Sequence, residues 1–250
     1  MRVVCIVQAR MNSNRLPGKV LMPLVGKPVL EHILDRLSHC KLIDEVVIAT
    51  STQVSDESIV EYCIENKKSF YRGSLEDVLD RYYKAAKNYK ADAVVRITGD
   101  CPLIDPVVVD AVILGYLTGN YDLYGLGGEF PDGLDCTVFS FAAITKAWKD
   151  AHLKSEREHV GPYIENNPDL FSNGCLKLFF GLEHYRWTLD ELDDYKLLVE
   201  IFSKLYNPDS IFLTNEIIEL MKQNPHLIKI NQGIIRNEGY YKSVKDDLMQ

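Results

Sequence analysis

No apolar run in the chain approaches the roughly 18 residues needed to span a bilayer. The opening stretch Met1 to Arg15 has neither the long apolar h-region nor the small-residue cleavage site of a signal peptide. The expected location is the cytoplasm, without a membrane partner. Cysteine pairs are missing too: Cys5, Cys40, Cys63, Cys101, Cys136 and Cys175 form no C-x-x-C motif, which speaks against a disulfide framework or zinc knuckle and for reduced thiols. Positive charge is scarce. The 28 Lys and Arg face 36 Asp and Glu, a formal net charge of -8, so a general affinity for nucleic acid or anionic lipid is not expected. The partners to look for are small molecules, and against this acidic background any basic cluster is informative.

Repeats, low-complexity tracts and linkers are absent, so residues 1-250 read as one domain. The first half alternates strand and helix. Val3 to Val7 is an apolar run ending in a polar loop, Gln8 to Gly18, and Val46 to Ile48 and Ala93 to Ile97 are further strands. Between them, Val29, Leu30, Ile33, Leu34 and Leu37 form a helical stripe behind Pro28. Ser55-Asp56-Glu57 and Ser74-Leu75-Glu76-Asp77 mark helix starts, as does Asp105-Pro106. This order implies βαβ units and a mostly parallel sheet covered by helices, with ligands at the carboxyl ends of the strands. The second half is less regular. It is expected to hold a Gly-rich loop at Gly125 to Gly133 and a helix capped by Ser155 and Glu158. Strands near Leu176 to Phe180 and Tyr185 to Thr188 should follow, then helices near Glu191 to Leu205 and Asn215 to Gln223.

The sharpest chemical signal is the loop Ala9-Arg10-Met11-Asn12-Ser13-Asn14-Arg15-Leu16-Pro17-Gly18-Lys19. A turn needs glycine or proline; it does not need Arg10, Arg15 and Lys19 beside a sheet's ligand edge, where together they suit a triphosphate. It is not a Walker A loop, because Val20 follows Gly18-Lys19 and Ser13 stands at the required earlier glycine, and Gly125-Leu126-Gly127-Gly128 fails as a dinucleotide fingerprint at Phe130. Asp100, just after a strand, offers hard carboxylate oxygens suited to Mg²⁺ bridging phosphates. Asp190 precedes a helix and could cap it or join that metal site. Asp132 and Asp135 could be turn formers, with Asp135 also a substrate candidate. Glu158 could be a local cap, and His159 a polar substrate contact. Arg72, Asp77 and Arg81 surround a helix start that could hold a nucleotide or its ribose, although Asp80 and Arg81 could equally be exposed helix charges. Arg96, inside a strand, calls for a phosphate or carboxylate partner. Cys101 has no positioned histidine and reads as packing rather than as a nucleophile.

The chain resembles the cytidylyltransferases that activate acidic sugars, the CMP-Kdo and CMP-sialate synthetases, and most closely the spore-coat-polysaccharide branch. The resemblance covers most of the chain. Beyond the basic loop it runs through Arg72-Gly73-Ser74, Thr98-Gly99-Asp100-Cys101-Pro102, Asp132-Gly133-Leu134-Asp135, Glu158-His159-Val160 and Trp187-Thr188-Leu189-Asp190. Gln8 departs from the proline usual before Ala-Arg, the 98-102 segment is nearer the Kdo pattern, and the Gly-x-Gly-Thr-Arg loop of hexose-1-phosphate nucleotidyltransferases is absent.

The resemblance implies the α/β nucleotide-diphospho-sugar transferase (glycosyltransferase A-like) fold, a mixed, mainly parallel sheet between helices. It further implies that Arg10, Ser13, Arg15 and Lys19 hold CTP phosphates, with Gln8, Ala9, Arg72, Gly73, Asp77, Arg81, Thr98 and Gly99 completing the nucleotide site. Arg96, Asp135, Glu158 and His159 are then expected at the acidic-sugar acceptor, and Asp100 and Asp190 at Mg²⁺, with Arg15, Lys19 and Asp100 carrying catalysis. The implied reaction is attack of a sugar oxygen on the α-phosphate of CTP with loss of pyrophosphate. Rival readings are another nucleotide with a sugar phosphate, or a degenerate nucleotide-binding module. The resemblance also implies a homodimer, for which the aromatics of the irregular 121-145 stretch, Tyr121, Tyr124, Phe130, Phe139 and Phe141, offer surface within an acceptor and dimerisation portion around 121-185.

Overall fold

The computed structural model describes residues 1-249. Its strands are β1 Val3–Gln8, β2 Pro23–Leu24, β3 Lys27–Pro28, β4 Glu45–Ser51, β5 Ser69–Gly73, β6 Ala93–Thr98, β7 Leu123–Gly127, β8 Thr137–Ser140 and β9 Asn173–Lys177. The helices are α1 Val29–Leu37, α2 Glu57–Glu65, α3 Val78–Asn88, α4 Pro106–Thr118, α5 Phe141–Asp150, α6 Lys154–His159, α7 Pro162–Glu165, α8 Leu192–Leu205, α9 Thr214–Gln223 and α10 Glu238–Asp247. Seven strands form one sheet in the order β5-β4-β1-β6-β8-β7-β9, and β2 and β3 pair as a small hairpin. Within the seven-stranded sheet only β8 runs antiparallel to its neighbours. This is the mixed, mainly parallel α/β sheet expected. No helix among the described residues is long and apolar enough to cross a membrane.

The period of two in a strand sends alternate residues to opposite faces. In β1, Val3, Cys5 and Val7 join one core cluster with the buried stripes of α1, α4, α8 and α9, while Val4 and Ile6 join a second with α3, α5 and Ile164 of α7. Every residue of the expected α1 stripe is buried. Covering both faces frees only the strand ends and their loops for ligands.

Several sequence expectations need correction. Of the expected loop Gly125 to Gly133, Gly125 and Gly127 belong to strand β7, because β9 lies close against it: a Cβ on Gly127 would sit 2.8 Å from Cys175 Cβ; Gly128 and Gly133 lie beyond the strand's end. The following strand lies earlier than expected, at Asn173–Lys177. Tyr185 to Thr188 is not a strand; it makes an isolated bridge between Arg186 and Asp132 that leads Trp187 into the core. α6 is capped not by Ser155 and Glu158 but by Glu156, whose carboxylate accepts from the His152 and Leu153 amides at 3.1 Å each. Phe130 and Phe139 are core residues and offer no surface to a partner.

Candidate active site

The carboxyl ends of β1 and β6 open into a cleft of about 1290 Å³. Glycine sets how closely the two ends approach: the Gly99 amide donates to Gln8 O at 2.8 Å, and a Cβ there would press within 2.8 Å of the same oxygen. The basic loop that follows β1 is tied down at Met11, whose amide donates to Asp56 Oδ1 at 2.7 Å, and it closes on itself where the Gly18 amide meets Met11 O at 2.8 Å. Asp56 is fully buried and also holds the Ser51 hydroxyl, so the loop is anchored to β4.

Lys19 leaves this loop and points inward. Its Nζ donates to Asp100 Oδ2 at 2.7 Å, Leu189 O at 2.7 Å and Asp190 Oδ1 at 2.9 Å. Burial alone would lower the Lys19 pKa, but Asp100 and Asp190 outweigh it and raise the pKa above that of an ordinary lysine. Burial likewise opposes ionisation of Asp100, and the Lys19 ammonium overcomes this to hold its carboxyl at about 2. Asp190 also meets Arg15 at 3.0 Å and Arg186 at 2.8 Å. It does not cap α8: Asp194 does, accepting from the Asp190 and Glu191 amides at 2.9 and 3.0 Å. The Asp190 carboxylate is thereby left to face the cleft.

The cleft is lined by Gln8, Ala9, Arg10, Ser13, Arg15 and Lys19, by Asp77 and Arg81 of α3, and by Thr98, Gly99 and Asp100. Glu158 and His159 of α6 line it too. Arg81 is not an exposed helix charge; it is 2% exposed, its Nη1 donates to Ser74 O at 2.8 Å, and burial lowers its pKa. Its Nε and Gln8 Oε1 are buried without a hydrogen-bond partner among the described residues. An unpaired buried donor and acceptor are costly, which marks this end of the cleft as shaped for a polar ligand.

Other expected site residues stand elsewhere or are already engaged. Arg72 lies on β5, paired with Glu57 at 2.7 Å, and does not line the cleft; Gly73 packs against Arg81. Asp77 caps α3 and receives the Arg157 guanidinium. Arg96 lies outside the cleft lining, and its Nε finds none of the expected anionic partners among the described residues. Asp135 sits outside the cleft as well, held by Arg236 at 3.1 Å. Glu158 accepts from the Ser243 hydroxyl at 2.8 Å, and His159 Nε2 lies 3.1 Å from the same oxygen. The sequence reading missed α10 altogether, yet Glu238, Lys242, Ser243 and Lys245 line the cleft. Their helical spacing on one polar face was the available signal.

Does the donor set suit Mg²⁺? Two hard carboxylates on remote segments converge on one point, and a cation, Lys19 Nζ, already stands there. No cluster of three or more His, Cys, Asp or Glu suited to a metal occurs among the described residues, so further ligands would come from phosphate and water. That is the usual habit of Mg²⁺.

A family model described as cytidylyltransferase matches residues 4–229. The uncharacterized protein MJ1063 of Methanocaldococcus jannaschii is 39% identical over 244 residues, covering 96% of this chain and 98% of its own. The spore coat polysaccharide biosynthesis protein SpsF of Bacillus subtilis is 32% identical, covering 89% and 95%. A cytidylyltransferase structure from Leptospira borgpetersenii superposes with a TM-score of 0.87 at 34% identity, covering 94% of this chain and 100% of that one. A CMP:2-keto-3-deoxy-manno-octonic acid synthetase complexed with CTP, only 15% identical, shares the fold with a TM-score of 0.62, covering 82% and 100%.

Proposed function

The chain belongs to the cytidylyltransferase family, and from that premise we propose that it transfers CMP from CTP to an acidic sugar, releasing pyrophosphate and a CMP-sugar for surface polysaccharide. The observation that carries the reading is the meeting of Asp100, Asp190 and Lys19 beside a loop of unusual positive charge. Asp100 and Asp190 would hold Mg²⁺, which when bound neutralises phosphate charge and makes the α-phosphate more electrophilic. The chain's own residues position the reactants and balance charge. Arg15, now shared among Asp190, Glu191 and Glu238, would turn to the leaving pyrophosphate. Lys19 would offset charge beside it. Gln8 Oε1 and Arg81 Nε offer the nucleoside an acceptor and a donor.

No covalent nucleophile is needed. The Cys101 thiol is fully packed, lies 3.2 Å from Thr98 Oγ1, and is pushed well up by burial. We propose Gln8, Ala9, Arg10, Ser13, Arg15, Lys19, Asp77, Arg81, Thr98 and Gly99 as the nucleotide contacts, and Glu158 and His159 on the acceptor side. A homodimer working in the cytoplasm belongs to the same proposal, and a monomeric mass by light scattering at micromolar concentration would remove the dimer. The deciding experiment pairs each nucleoside triphosphate and Mg²⁺ with Kdo, N-acetylneuraminate or a hexose 1-phosphate and reads pyrophosphate and product mass. CTP with an acidic sugar is the expected pair. Turnover only with another nucleotide and a sugar phosphate would overturn the reading.

A further inference from the structure

The cleft's cations can be sorted by what they already hold. Arg15 and Lys19 are shared among carboxylates at the phosphate loop. Lys154 is paired with Asp246 at 2.7 Å, and Arg157 is spent on Asp77. Arg10, in the loop after β1, and Arg81 Nε are also without a partner among the described residues, and both stand among the nucleotide contacts proposed above. What remains is on α10: Lys242 and Lys245 line the cleft, and their ammonium groups make no hydrogen bond or ion pair among the described residues. By contrast, the helix's own cleft-facing carboxylates are engaged, Glu238 with Arg15 at 2.9 Å and Asp246 with Lys154.

α10 is also fixed in place. Ser243 is buried, donates to Glu158 Oε2 at 2.8 Å and meets His159 at 3.1 Å, while the Ser155 amide donates to Asp247 at 3.2 Å. The two lysines are therefore carried on a docked helix whose first turn reaches the loop, Glu238 meeting Arg15 at 2.9 Å, and whose later turns pack on α6 at Glu158 and His159. The stretch that matches the family model ends at residue 229, before this helix begins.

We propose that Lys242 and Lys245 bind the anionic group of the acceptor, a carboxylate or a phosphate, and so select an acidic acceptor over a neutral one. An anion entering a cleft of an otherwise acidic protein needs uncommitted positive charge, and beyond the residues proposed for the nucleotide Lys242 and Lys245 supply it. The inference rests on the cleft being a nucleotidyltransferase site.

The test has two readouts. In the first, intact protein is labelled with acetic anhydride in the presence of Kdo, glucose 1-phosphate or glucose, and modification of Lys242 and Lys245 is read by mass spectrometry. Protection by Kdo or glucose 1-phosphate but not by glucose is expected. Which of the two protects says whether the anion is carboxylate or phosphate, and no protection by either overturns the inference. In the second, K242Q/K245Q is assayed with CTP and the acceptor that wild type turns over. The acceptor KM should rise about tenfold or more with kcat and CTP affinity held within twofold, and K242R/K245R should restore it. An unchanged acceptor KM overturns the inference while leaving the proposed reaction intact, and weakened CTP binding overturns it by assigning the lysines to the nucleotide. If wild type turns over no acceptor, it is the proposed reaction that has failed, and the labelling result still decides whether the lysines hold an anion.

Discussion

Lys19 is a buried cation that stands between two carboxylates, and its removal tests the site most directly. K19A leaves Asp100 and Asp190 facing each other without the charge that lets both ionise. Loss of such a charge-assisted contact costs on the order of 1.5–3 kcal/mol, so CTP turnover should fall by roughly one to two orders of magnitude. The Asp100 pKa, followed by carbon-detected NMR, should climb from about 2. Wild-type turnover in K19A would remove Lys19 from the mechanism. D190N makes a second test, because Asp194 and not Asp190 caps α8. The variant should therefore keep α8 capped and lose most activity at limiting Mg²⁺; full activity there would end the two-carboxylate reading. At this scale Asp100, Arg15 and Lys19 were legible because a charged residue at a strand end has few structural duties. Arg72 and Asp135 were misplaced because the partners that engage them, Glu57 and Arg236, lie on other elements and nothing in the spacing announces them.

Among the elements, α10 depends most on its surroundings. Only Ser243 is buried on it, and it docks through polar contacts to α6. His159 in that seam has its pKa lowered by burial, with Arg96 and Arg10 acting in the same sense and Glu158 and Asp247 against. A ring kept neutral when docked and free to charge when undocked stabilises docking above its ordinary pKa of 6.5. That stabilisation is lost as pH falls through the lowered value. Hydrogen exchange of the α10 amides, corrected for intrinsic rates, should accelerate as pH falls from 7 to 5.5, and H159Q should flatten the trend. A pH-independent protection in wild type would show that the seam does not depend on this ring. The parallel half of the sheet was readable from its apolar runs. By contrast, β5 is half-buried along its whole length at the sheet edge, β8 has four residues, and α10 has a largely polar surface. None of these gives the periodicity that sequence reasoning requires.

For the whole molecule, the link between site and stability runs through Arg186. Its guanidinium joins Asp132 at 2.6 Å, Asp190 at 2.8 Å and Asp194 at 3.0 Å, and Asn231 Nδ2 adds bonds to Arg186 O and Asp194 Oδ1 at 2.9 Å each. Asp194 is fully buried, so R186M strands a charge without its counter-ion, at a cost of about 3–5 kcal/mol. In a chain of this size that corresponds to a fall in Tm of roughly 6–20 °C, which calorimetry would read; a shift below about 3 °C would show that the network is not what holds these segments together. This architecture could not be read from the sequence, since Asp132, Arg186 and Asn231 are distant in the chain and each looks like an ordinary surface residue. The Lys19 contacts carry a last consequence, for how the enzyme is made and handled. An ammonium already seated between the two aspartates lets the chain mature before any divalent ion arrives. On the proposed mechanism metal supply would govern turnover without governing abundance, and the thermal transition in EDTA should match that in buffer alone. A protein whose fold is stapled by its ion would melt earlier under the same treatment.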